Sequence, residues 1–86
     1  MGKKILKEKI KNALKTEFTE QEIDLESKSN GKIIGFVISD KFKEMNDFDR
    51  QKWVWNILDE NLELSEKASI AILLTLTDKE SEAYRS

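Results

Sequence analysis

The chain has 86 residues, of which 38% are hydrophobic and 37% charged, and its net charge is −2. It contains no histidine and no cysteine, so it lacks the side chains most used for proton transfer at neutral pH, zinc or iron ligation and thiol chemistry. No apolar run approaches the roughly 20 residues that a bilayer-spanning helix needs.

Length and composition indicate a single domain over residues 1–86 with a densely charged surface. The N-terminus is basic but has no uninterrupted apolar stretch, so it does not read as a secretory signal, and a cytoplasmic location is expected. Charge is unevenly placed. Residues 1–15 carry six lysines and one glutamate, a net +5, which leaves −7 on the remainder.

In residues 3–16, Leu6, Ile10, Ala13 and Leu14 recur at spacings of three and four and continue to Phe18, which predicts an amphipathic helix. Ile23 and Leu25 then alternate with Glu22, Asp24 and Glu26, the pattern of a half-buried strand over 21–28 with one wet, acidic face. Ser29-Asn30-Gly31 predicts a hairpin, because Asn-Gly tolerates positive φ at both central turn positions. The return strand, 32–39, is apolar on both faces, with Ile34, Phe36 and Ile38 on one and Ile33, Gly35 and Val37 on the other, and so belongs in the middle of the sheet.

A polar loop carrying Phe42 and Met45 follows, and Asn46 or Asp47 can cap the next helix, over 47–62. Val54, Ile57, Leu58 and Leu62 form its buried arc, Trp55 lies at the arc's edge and Trp53 on the opposite flank. Leu64 to Lys67 is a connection. Residues 69–77 then predict a strand with Ile70, Ile72, Leu74 and Leu76 on its core face and Ala71 and Leu73 on the other. Thr77 and Glu80 match a capping box that opens a helix over 78–85. The expected architecture is two-layer α/β (α+β), order α-β-β-α-β-α. Its three-stranded mixed sheet has the 32–39 strand in the middle and helices on one face, the hairpin antiparallel and the crossover parallel and right-handed.

Three blocks resemble the BolA family, and the layout is KH-like, of the type-II kind. They are Val37-Ile38-Ser39-Asp40-Lys41-Phe42, the helix segment from Arg50-Gln51-Lys52-Trp53 to Leu62, and the stretch from Ser69 through Thr75-Leu76-Thr77 to Glu80. Together they cover roughly residues 33–82. The resemblance implies a role in stress-response regulation, and pairing with a monothiol glutaredoxin around a shared [2Fe–2S] cluster. The departures fall on the chemistry: Ser69 stands where the family has a histidine at the head of the last strand, and Gln51 stands in its Arg-His pair. A hydroxyl is a poor substitute for imidazole on iron, so no cofactor or metal is expected.

The reading that follows is a non-enzymatic regulatory or adaptor protein that binds a protein partner through Arg50, Gln51, Lys52, Trp53 and Ser69. Nucleic-acid binding is the alternative, through Lys3, Lys4, Lys7, Lys11, Arg50 and Lys52. Against it, the loop before the long helix lacks a Gly-x-x-Gly clamp and carries acids. An enzyme is not expected, because Ser39, Ser65 and Ser69 have no histidine to activate them and no glycine-rich phosphate motif occurs. The expected state is a monomer or weak homodimer, with no membrane association.

Overall fold

In the computed structural model, residues 2–85 are described, with side chains for residues 5–84. The elements follow the expected order with one helix added. They are α1 (Gly2–Leu14), β1 (Ile23–Ser27), β2 (Ile33–Ile38), α2 (Asp47–Asn61), a one-turn α3 (Leu64–Ala68), β3 (Ile70–Leu76) and α4 (Asp78–Arg85). The segment expected as a plain connection, Leu64 to Lys67, is thus helical. The Glu63 N–H that would be orphaned at its start is held by the Glu66 carboxylate at 2.8 Å. The polar loop after β2 is likewise tighter than expected: Asp40–Phe42 form a 3-10 turn that drives Phe42 into the core.

The sheet order is β1-β2-β3, with β1 antiparallel and β3 parallel to the central β2. The hairpin closes through Lys28 N–H to Lys32 O at 2.8 Å and Gly31 N–H to Lys28 O at 3.0 Å. Of Asn30 and Gly31, only Gly31 takes up the left-handed region, at φ 86°. A three-residue loop with a terminal left-handed glycine satisfies the strand twist and spares Asn30 the steric cost of that region. The Asn30 side chain instead accepts from the Lys32 N–H at 3.0 Å.

α1 and α2 cover one face of the sheet. Ile10, Leu14, Phe18, Ile33, Val37, Phe42, Val54 and Leu58 make one continuous buried cluster there, each side chain contributing about 1.5–3 kcal/mol relative to exposure. Gly35 sits in this layer because there is no room for more. An added Cβ would lie 2.8 Å from Leu73 Cδ1 and 3.1 Å from Leu25 Cδ2, so the glycine lets β1 and β3 meet across β2. α4 turns back at the end of β3 and lays Tyr84 against Phe36, ring centroids 5.9 Å apart, on the opposite face.

The core face of β3 corrects the sequence reading. Leu73 and Thr75 are buried, while Ile72 is 50% exposed. The register explains it: Ile33 pairs with Ile70 but Ile34 pairs with Ile72, so Ala71 is an extra residue in β3. A bulge shifts the alternation by one. Ile70 still packs on the core, but beyond it the odd-numbered residues face the helices, and Ile72, Leu74 and Leu76 face away.

Candidate functional site

Residues 46–55 and the strand they cross form the best-defined polar arrangement in the molecule. Asn46 is the N-cap of α2, its side-chain oxygen accepting from the Asp49 N–H at 2.8 Å. Asp47 and Asp49 place negative charge in the first turn, where the helix dipole favours it. This fixes the start of the helix and hence the direction of the next two side chains.

Arg50 points inward and is only 5% exposed. Its Nε donates to Met45 O at 2.9 Å, Nη1 to Thr75 O at 3.3 Å and to Glu80 Oε1 at 2.7 Å, and Nη2 to Glu80 Oε2 at 3.4 Å. The guanidinium also lies 5.7 Å from the centre of the Phe42 ring. Gln51 turns the same way. Its Nε2 donates to Leu73 O at 2.9 Å and to Thr75 Oγ1 at 3.2 Å, while its Oε1 accepts from Trp55 Nε1 at 3.1 Å.

These contacts have a common physical effect. Leu76 O accepts from the Ser39 N–H next to β2, so by alternation the carbonyls of Leu73 and Thr75 point to the outer edge of β3. An open strand edge is a template for further strand pairing. Here Gln51 and Arg50 take up two of its acceptors.

The residues singled out from the sequence are therefore dispersed. Arg50, expected at both surfaces, is buried, its guanidinium bonded to two backbone carbonyls and a carboxylate. Gln51 is half-buried and bonded through both amide ends. Trp53, expected off the buried arc, joins an aromatic cluster with Phe18 at 5.0 Å and Phe42 at 5.7 Å. Lys52 is exposed. Ser69 caps the end of α3, and its hydroxyl reaches Ser65 O at 3.5 Å. It lies four residues, roughly 13 Å of strand, before Leu73, so it is not gathered with Gln51.

The basic stripe is dispersed too. Lys11 pairs with Glu20 at 3.3 Å, and Lys7 is half-buried in a shallow concavity that also contains Asp24. The side chains of Lys3 and Lys4 lie outside those described. The sequence pattern gave no hint of Phe48, which is 72% exposed in the first turn of α2, between the exposed Asp47 and Asp49. Nor could it reveal Glu80 as the partner of an arginine 30 residues away.

A shared iron–sulfur cluster does not fit these residues. The chain has no imidazole or thiolate to offer, and the Ser69 hydroxyl is directed to a backbone carbonyl. Among the described residues, no three acidic side chains come together as a metal site.

The antiparallel hairpin, the parallel return through α2 and the closing α4, which lies on the face opposite α1 and α2 rather than beside them, define a BolA-like α+β domain. Among solved structures the chain is similar to BolA1 from Arabidopsis thaliana, with a TM-score of 0.63 over 87% of this chain and 94% of that one, at 18% identity. No family model and no curated relative matches the chain.

Proposed function

We propose that this chain is a non-enzymatic, cytoplasmic regulatory or adaptor module that binds a protein partner at the outer face of the first turns of α2. The observation that carries this reading is Phe48, a 72% exposed aromatic fixed on a capped helix and flanked by Asp47 and Asp49, with Lys52 one turn on. Aromatic side chains held on rigid elements are the usual anchors of interfaces. The BolA-like fold supports a regulatory role of this kind, and a chain without imidazole or thiol is poorly equipped for catalysis. No helix among the described residues is long and apolar enough to cross a membrane.

Titration of the full chain with a monothiol glutaredoxin, followed by calorimetry and visible absorption, tests the proposal. The expected result is a colourless complex that weakens about tenfold or more in Phe48→Ser and is unaffected by Lys11→Ala. Absence of binding at about 1 mM would overturn this choice of partner, and a coloured cluster-bearing complex would overturn the cluster-free reading. Oligonucleotide binding that falls steeply with added salt would favour nucleic acid instead.

A further inference from the structure

The tip of the β1–β2 hairpin sets side by side two groups that react with each other. Of the five asparagines, only Asn30 precedes a glycine. Without a Cβ, that glycine leaves its backbone nitrogen open to approach by the neighbouring carboxamide, the route by which asparagine degrades on heating. Asn12, Asn56 and Asn61 lie in helices ahead of Ala13, Ile57 and Leu62, and Asn46 caps α2 ahead of Asp47. Asn30 is exposed on the turn. Its Oδ1 accepts from the Lys32 N–H at 3.0 Å, and the Gly31 N–H donates to Lys28 O at 3.0 Å. Electrophile and nucleophile are therefore adjacent, and each is held by a separate hydrogen bond of the turn.

We propose that Asn30 is a site of spontaneous covalent modification, converted to aspartate and isoaspartate by cyclisation onto Gly31, and that the hairpin turn governs its rate. The Gly31 nitrogen gives up its proton and attacks Asn30 Cγ. A C–N bond forms, the Cγ–Nδ2 bond breaks, and ammonia leaves carrying that proton. Water then opens the succinimide. Cleavage between the ring nitrogen and Cγ gives aspartate, and cleavage between that nitrogen and the main-chain carbonyl carbon gives isoaspartate. Nothing is oxidised or reduced. In the closed turn the Gly31 N–H is committed to Lys28 O, so the nitrogen attacks only when the tip opens. The two products differ in consequence. Aspartate keeps the main chain, and its carboxylate still accepts from the Lys32 N–H. Isoaspartate routes the main chain through Cγ and inserts an extra backbone atom into the loop. Loop length sets hairpin register, so this product disrupts the closure between Lys28 and Lys32 and loosens β1 from β2.

Incubation of the full chain in mildly alkaline buffer, folded and in urea, tests this, with peptide mass spectrometry and isoaspartyl-methyltransferase labelling as readouts. In urea, conversion is expected at Asn30 ahead of the other asparagines, and Gly31→Ala slows it there, where the hairpin plays no part. In the folded chain conversion is slower by about fivefold or more. Hydrogen exchange of the Gly31 N–H reads the same opening and shows protection of matching size. The isoaspartate-bearing fraction, separated by chromatography, unfolds at a lower urea concentration than the unmodified chain. An Asn30 that survives in urea, a folded chain that converts as fast as the unfolded one, Gly31 protection far exceeding the slowing, or an isoaspartate-bearing chain as stable as the original overturns the proposal.

Discussion

The guanidinium of Arg50 and the carboxylate of Glu80 form a two-pronged ion pair, Nη1 to Oε1 at 2.7 Å and Nη2 to Oε2 at 3.4 Å, that ties α2 to the first turn of α4. Glu80 also holds the Thr77 N–H at 2.9 Å, while the Thr77 hydroxyl accepts from the Glu80 N–H at 3.2 Å. One carboxylate thus closes a helix cap and neutralises a buried cation.

Replacing Arg50 by alanine removes donors to Met45 O and Thr75 O as well as the Glu80 pair, and opens space beside Phe42. Leaving the buried Thr75 carbonyl without its donor costs about 1–3 kcal/mol, whereas the half-exposed Glu80 carboxylate left behind is rehydrated. The expected outcome is a domain unfolding at markedly lower urea concentration, with loss of protection in α4 by hydrogen exchange. An Arg50→Lys variant recovers only part of the loss, since an ammonium cannot reproduce the fork.

Acid should weaken the same link. Arg50 first, and then the Thr77 N–H, hold the Glu80 carboxyl below its ordinary value of 4.5. A group depressed in the folded state contributes stability above its unfolded pKa and loses it as pH falls through the folded value. Wild type and Glu80→Gln should therefore differ most in urea midpoint at neutral pH. The gap begins to close below 4.5 and vanishes once the carboxyl is protonated in the folded state. A gap constant with pH would contradict this.

Gln51→Leu keeps the volume but leaves the Leu73 carbonyl and the Trp55 indole N–H without their partner. A loss of about 1–2 kcal/mol is expected, read from urea titration followed by tryptophan fluorescence. The freed edge of β3 should also raise the tendency to aggregate at high concentration, which light scattering measures.

Gly35→Ala tests packing alone, because Gly35 is not in the left-handed region. With the new methyl 2.8 Å from Leu73 Cδ1, overpacking should cost about 1–3 kcal/mol. Shortening Leu73 to alanine in the same chain gives the methyl room. The double variant should then be less destabilised than the sum of the singles, and a simple sum would place the strain elsewhere.

How much was legible in the sequence can be judged from α4. Thr77 and Glu80 announced the cap three residues apart, and the structure has it. What they did not announce was that the same glutamate serves Arg50. Trp53 shows a similar limit. Its place on the helical wheel lies off the apolar arc, yet Phe18 and Phe42 arrive beside it from segments outside any regular strand or long helix, and no periodicity encodes such an arrival.

The hairpin, the long helices and strands and the Thr77/Glu80 cap followed from the sequence alone, because each depends on residues a few positions apart, and the parallel return of β3 followed from the handedness and length of the crossover. Tertiary structure alone decided which face β3 buries and where Arg50 and Gln51 point. Alternation fixes that neighbouring side chains oppose one another, but one bulged residue at Ala71 reverses the phase. An arginine can be buried only where distant partners, here Met45, Thr75 and Glu80, converge to satisfy it.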